Sequence, residues 1–247
     1  MTKIMHKTTL FAALALAIPA AAAAQNQSVA LVQKLLLDGR MVVQRQTTPI
    51  QAALGQQLLN GDEVITSQNT RAAIRFTDDG SIVRLNPNSQ LSVRTEGARG
   101  SATKTLQLDF GELWAKVAPQ NGRTFQVQTP SGVAAVKGTE FVVRVDQNGV
   151  TTVLTFEGAV DFFNGAGTVS VESGKQSQAA DQNTLAVLAD ITDQDKKALE
   201  TLTAAAADDD VIRVEIPVQN ADGVQKTLIL EVPRKEAEPI VNPGGGK

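Results

Sequence analysis

Between residues 30 and 180 the chain is cut into short pieces by turn residues, and the pieces are rich in Val, Ile, Thr and Phe. Turn punctuation at roughly 8–12-residue spacing is the mark of an all-β fold. Residues 71–76 set Ala72, Ile74 and Phe76 on one side of a strand, with Ala73 small enough for either face. Asp78-Asp79-Gly80-Ser81 then reads as a tight turn, because Gly80 takes a positive φ without steric cost. Residues 81–85 return, Asn86-Pro87-Asn88-Ser89 turns again with Pro87 presetting φ, and residues 90–94 alternate strictly. Asp146-Gln147-Asn148-Gly149 is a further hairpin signal between residues 141–145 and 150–156. At Gly111 and at Gly158 one strand runs through a single glycine into the next. Such glycines mark corners where a chain changes sheet.

The period changes after residue 190. Residues 190–207 read as a helix with Thr192 as N-cap and Asp193 and Asp195 in the first turn, where the dipole favours anions. Ala198, Leu199, Leu202, Ala205 and Ala206 form its apolar stripe. Residues 211–218 and 224–232 alternate again around Asn220-Ala221-Asp222-Gly223, a hairpin that is marginal alone and must pack on something. The segment 233–247, with Pro239, Pro243 and Gly244 to Gly246, is expected to be disordered. The expected fold is therefore all-β: many short antiparallel strands in a compact sandwich or barrel, or a short β-solenoid, followed by one helix and a β-hairpin. The expected boundaries are 30–180 for the β domain and 181–232 for the appendix.

The N-terminus changes the setting. Lys3 and Lys7 precede an apolar stretch, and Ala22-Ala23-Ala24 supplies a small-residue exit before Gln25. This reads as a signal peptide over residues 1–24. The apolar run from Leu10 to Ala24 falls short of the ~20 residues that span a bilayer. Cleavage removes Lys3 and Lys7 and takes the formal charge from −3 to −5. A mildly acidic chain without a basic stripe is a poor match to nucleic acid or to an anionic membrane surface. No membrane insertion is expected after cleavage, and a periplasmic location is expected, with the cell surface or the medium as alternatives.

Composition narrows the chemistry. The chain has no Cys, and its one His is His6, inside the leader. That removes the histidine base, the thiolate and zinc held by His or Cys, so neither catalysis nor a cofactor or metal is expected. Asp109 with Glu112, or Glu157 with Asp161, would be the carboxylate pairs of a glycosidase, yet 4% aromatic residues and no Tyr leave no sugar-stacking cleft. Asp208-Asp209-Asp210 lacks the alternating spacing of a calcium loop. Gly138-Thr139-Glu140-Phe141 is the sharpest local motif. It reads either as a corner with Phe141 entering the core and Glu140 paired to Lys137 or Arg144, or as a contact loop for a partner through Lys137, Thr139 and Glu140. Trp114, the single Trp, reads as a core or corner plug.

Seven fragments in order carry a resemblance. Leu54-Gly55 through Gly61-Asp62-Glu63-Val64, then Arg71 to Phe76 with Asp79-Gly80-Ser81, and Leu85-Asn86-Pro87-Asn88-Ser89 resemble the opening of the FecR domain. Phe110-Gly111-Glu112-Leu113-Trp114, then Phe125 to Gly132, and Ala135-Val136-Lys137-Gly138-Thr139-Glu140-Phe141 resemble its middle. Phe156-Glu157-Gly158-Ala159-Val160 with Val171 to Gln176 resemble its end. The resemblance implies an all-β extracytoplasmic module of a Gram-negative cell. In the iron-dicitrate sensor regulators for which the family is named, it relays the state of an outer-membrane TonB-dependent receptor to a sigma factor. This chain shows neither an anti-sigma segment ahead of the domain nor an internal membrane span. The expectation is a stand-alone exported FecR-domain protein that binds another protein or a cell-envelope component. The alternative is a periplasmic signalling component acting with a TonB-dependent receptor or a membrane anti-sigma regulator.

Overall fold

The computed structural model describes residues 28–37, 40–97, 103–204, 211–219 and 225–233. The leader, the aspartate run at 208–210, the turn at 220–223 and the tail after residue 233 lie outside them. The described chain forms nineteen strands and one helix. They are β1 (Ser28–Leu37), β2 (Met41–Arg45), β3 (Thr48–Gln51), β4 (Gln57–Leu59), β5 (Glu63–Thr66), β6 (Thr70–Phe76), β7 (Ile82–Leu85) and β8 (Gln90–Glu96). Next come β9 (Thr103–Lys116), β10 (Phe125–Thr129), β11 (Gly132–Val136), β12 (Glu140–Val145), β13 (Thr151–Glu157) and β14 (Ala159–Asn164). The chain closes with β15 (Gly167–Glu172), β16 (Lys175–Ala179), β17 (Val187–Asp190), α1 (Asp193–Ala204), β18 (Val211–Gln219) and β19 (Gln225–Pro233).

Seventeen strands form one hydrogen-bonded network with two leaves that share β9. Sheet A runs β4-β1-β6-β7-β9-β12-β13-β16-β17. Sheet B runs β3-β2-β5-β8-β9-β10-β11-β14-β15. From β10 onward, successive hairpins alternate between the leaves: β10–β11 in B, β12–β13 in A, β14–β15 in B and β16–β17 in A. The sandwich is thus wound like a short solenoid of hairpins. One pair departs from the antiparallel expectation: β10 lies parallel to the first half of β9. The second half of β9 has already crossed to sheet A, so the chain re-enters sheet B beside the start of β9 and in the same direction.

Period-2 alternation decides which side chains meet between the leaves. Ile74, Phe76 and Val83 from sheet A face Leu91, Leu106, Leu108 and Phe125 from sheet B in one buried core. The Phe76 and Phe125 rings meet edge to face at 5.8 Å and 79° across the interior. Both glycine corners foreseen in the sequence change sheet: β9 bends from B to A at Gly111, and β13 passes from A to β14 in B through Gly158.

The turns obey local chemistry. Gly80 and Gly149 sit at φ +76° and +81°. The Asp146 carboxylate accepts the backbone N–H of Asn148 and of Val150. At the start of α1, Thr192 Oγ1 accepts the Asp195 N–H, and the Asp195 carboxylate accepts the Thr192 N–H in return. This reciprocal capping box, with Asp in place of Glu, confirms Thr192 as the N-cap. The helix carries no basic residue in its last turn. Its half-buried Leu199 contributes ~1–2 kcal/mol, so α1 depends on the sheet beneath it. The β18–β19 ribbon pairs only with itself, and β19 runs close to β1.

Gly111 tests the seam directly. Its φ is +102°, and a Cβ there would stand 2.5 Å from Ser89 Cα. Gly111→Ala is expected to cost about 3–4 kcal/mol in urea unfolding, from left-handed strain plus backbone overlap. Gly61→Ala, at φ +91° with nothing within 4 Å, should cost only about 1–2 kcal/mol. Equal costs at the two sites would show that the close approach at Gly111 contributes nothing.

Candidate functional site

The sharpest sequence motif forms a corner. From β11 in sheet B the chain turns through Lys137, Gly138 and Thr139 and enters β12 in sheet A at Glu140. Gly138 has φ +152°, and a Cβ on it would lie 3.2 Å from Pro119 Cα. Gly158, at φ +82°, carries the chain the opposite way beside it, where a Cβ would be 2.9 Å from the Gly138 carbonyl oxygen. Two corners without side chains can approach this closely; two with side chains cannot. Thr139 locks the pair. Its buried hydroxyl donates to the Ala159 carbonyl at 3.0 Å, and its carbonyl accepts the Val117 N–H at 3.0 Å.

Two hollows flank this corner and share Gly138 and Thr139 in their walls. One, of about 310 Å³, is rimmed by Arg123, Lys137 and Asp161. The other, of about 370 Å³, is rimmed by Lys116, Glu140 and Glu157 over an apolar floor of Ile82, Val117 and Pro119. The three residues singled out in the sequence therefore differ in exposure. Lys137 is exposed, Glu140 is half-buried, and Thr139 is buried with its hydroxyl in use.

Glu140 is paired, but not to Lys137 or Arg144. It accepts Trp114 Nε1–H at 3.2 Å and Lys116 Nζ at 3.1 Å. The strand register explains this: Glu140 lies directly opposite Lys116 on β9, while Arg144, four residues along β12, is ~13 Å away. Arg144 instead lies opposite Glu112, binds its carboxylate, and reaches up to Asp195 of α1 at 2.8 Å. Burial raises the Asp195 carboxyl, but hydrogen bonds from Thr192 and Arg144 outweigh it and hold the group below its ordinary value.

Trp114 is buried, yet not in the main core. Its neighbours Leu113 and Ala115 face sheet B, so Trp114 stands on the outer face of sheet A. There it joins Val142, Leu154 and Ile191, with Ile82, Phe156 and Leu199 packed around them. Arg84, opposite it on β7, lies 4.4 Å from its ring centroid as a cation–π contact.

A buried ion cluster near the first hollow was not read from the sequence. Lys104, 1% exposed, bonds Asp79 and lies 2.8 Å from Asp78, both in the β6–β7 turn. Its ammonium also sits 5.1 Å from the Phe76 ring centroid. Gln120 donates to Asp79 at 2.8 Å, and Arg123 reaches Asp78 at 3.4 Å. The signal was present: Lys104 is in phase with Leu106 and Leu108 on β9, where alternation demands an inward residue. A lysine in that phase needs an anion, and Asp78-Asp79 supplies two. Reading those aspartates as turn chemistry alone missed it.

Neither carboxylate pair named in the sequence comes together. Asp109 lies in the sheet B half of β9 and accepts from Gln107, whereas Glu112 lies beyond the bend in sheet A and is held by Arg144. Glu157 and Asp161 are likewise split between the sheets by Gly158. Among the described residues no group of three or more His, Cys, Asp or Glu is placed to hold a metal ion. Among the described residues no helix is long and apolar enough to cross a membrane.

Residues 62–161 match the family described as FecR protein. They hold β5 through β13, both glycine corners and both hollows' walls. Among solved structures, two crystal structures of a protein described as an anti-sigma factor from Parabacteroides distasonis share 19% and 17% identity with it, each with a TM-score of 0.49. The first alignment covers 56% of this chain and 63% of the other, and the second covers 70% and 84%. The chain thus spans under two thirds of the length of the first. No curated protein matches it.

The Lys104 cluster carries a pH signature. Burial raises the Asp79 carboxyl, but hydrogen bonds from Lys104, Gln120 and the Ser81 N–H, with the Lys104 charge, bring it below its ordinary 3.8. A carboxyl lowered on folding adds stability above its unfolded value, and the gain is lost as pH falls through the folded one. Asp79→Asn should therefore cost about 2–3 kcal/mol near pH 7, because the buried Lys104 loses one of its two carboxylate partners. Below about pH 4 the gap between variant and wild type should shrink. Urea unfolding at three pH values measures both; a gap that is constant with pH would contradict the assignment.

Proposed function

We propose that the region matching the FecR family works as a non-enzymatic, exported binding module that recognises a protein or another cell-envelope component. The supporting observation is the family match over residues 62–161 on a rigid sandwich whose paired carboxylates serve its own architecture. Glu112, Glu140, Asp78 and Asp79 are each neutralised by a nearby Lys or Arg. The contact region in this reading is the Gly138 corner. Thr139 holds the corner's shape from inside, Glu140 fixes Lys116 at one rim, and Lys137 presents its ammonium at the other. A protein partner suits the family, whose regulators act through protein contacts. The leader at 1–24 would deliver the module to the periplasm and be removed there.

A second reading follows from the same family match: the module serves as a periplasmic signalling component beside a TonB-dependent receptor or a membrane anti-sigma regulator. Both readings meet in one experiment. A photo-crosslinking amino acid replaces Lys137 in the full chain expressed in a Gram-negative host that encodes it, with a control at exposed Thr47. The expected result is a discrete adduct from position 137, absent at 47, on a chain whose N-terminus is Gln25. Identification of the adduct as a receptor or a membrane regulator supports the second reading; another envelope protein or component supports the first. No adduct above the control, or an uncleaved cytoplasmic chain, would overturn both.

A further inference from the structure

The outer face of sheet A is built to receive a helix. Alternation puts Trp114, Val142 and Leu154 in one cross-strand row, with Ile82 and Phe156 beside it. Charged pairs border the row on both sides: Lys116 with Glu140 on one, Glu112 with Arg144 on the other.

In this chain the strip is covered by Ile191, just ahead of α1, and by α1 itself. Leu199 rests on the apolar row, and Asp195, one turn earlier, meets Arg144. The cover is slight. A twelve-residue helix is marginal by itself, and its one ion pair to the sheet joins a mostly buried Asp195 to an arginine that is one-third exposed. α1 also lies outside the residues that match the family, whereas Trp114, Val142, Leu154 and Arg144 lie within them. The strip thus belongs to the domain, and its cover to this chain's own extension.

We propose that this strip is a docking site for an amphipathic helix of a partner protein, and that α1 occupies it in cis as a removable stand-in. The partner helix presents an acidic side chain to Arg144 and, four residues later, a leucine to Trp114, as α1 does with Asp195 and Leu199. Binding in trans requires α1 to lift, so the partner's apparent affinity falls by the fraction of chains that are closed. The inference extends the protein-binding reading to a second surface, but it is tested without any envelope partner, so either can fail while the other stands.

Trp114 is the single Trp of the chain and reports the strip directly. In full-length protein, Leu199→Asp should shift its emission to the red and raise acrylamide quenching at least two-fold, with the β-sheet circular dichroism unchanged. A synthetic peptide of residues 190–204, titrated into that variant, should reverse the shift saturably. The same peptide should bind wild-type chain at least ten-fold more weakly, and a peptide with Asp195→Ala and Leu199→Ala should bind neither. If Leu199→Asp disturbs the sandwich, Asp195→Asn replaces it, with a smaller shift in the same direction. Unchanged Trp114 emission in a folded variant, no saturable binding of the wild-type peptide up to millimolar concentration, or equal affinity for closed and opened chain would each overturn the proposal.

Discussion

Strand β9 belongs to both leaves of the sandwich, and the structure turns on how it crosses between them. Its first half pairs with β8 and β10, and its second with β7 and β12. Sharing a strand keeps the leaves in fixed register, so the core residues of one always meet the same residues of the other. The crossing needs a backbone at φ +102° packed against Ser89, which only glycine supplies without strain. Ser89 ties the crossing from the other side: its hydroxyl exchanges hydrogen bonds with the backbone of Glu112. The same crossing puts Lys104 at the inward end of one half of β9 and Trp114 on the outward face of the other.

Two kinds of polar structure follow from that placement. Inside, Lys104 has almost no contact with water and depends on Asp78 and Asp79. A buried charge of this sort contributes little net stability when paired and is costly when its partner is lost. It therefore dictates which turn closes over the end of β9. Outside, the pairs Glu112–Arg144 and Lys116–Glu140 are cross-strand neighbours that remain partly exposed. They define the borders of the apolar strip and give it a charged address, which is a matter of specificity more than of affinity.

The glycine corners link fold and function. Gly138 and Gly158 bring two chain reversals into contact, and Thr139 seals them with one hydroxyl. The hollows on either side are consequences of that geometry: where backbones pass without side chains, the surface dips. Around this corner Thr139 is held inside by the Ala159 carbonyl, whereas Lys137 turns its side chain to solvent while its carbonyl accepts the Gln120 N–H.

Much of this was fixed by local physics and so was legible in the residues alone. Turn glycines, period-2 alternation, the Thr192 cap and the sheet-changing role of Gly111 and Gly158 all act over a few residues, and the all-β class with its helix and hairpin followed from them, while sandwich, barrel and solenoid stayed open. The pairing of distant strands did not. Glu140 was assigned to Lys137 or Arg144 because those are near in sequence; the register of β12 on β9 gave it Lys116 and Trp114 instead. Trp114 reads as a core or corner plug because it is large and apolar, but its strand phase faces outward, and Ile191 together with α1 covers it there. Lys104 acquired its aspartates from a turn well separated in sequence. Alternation says which way a side chain points, whereas what it meets there depends on which strands lie side by side, and that is decided only when the whole chain has folded.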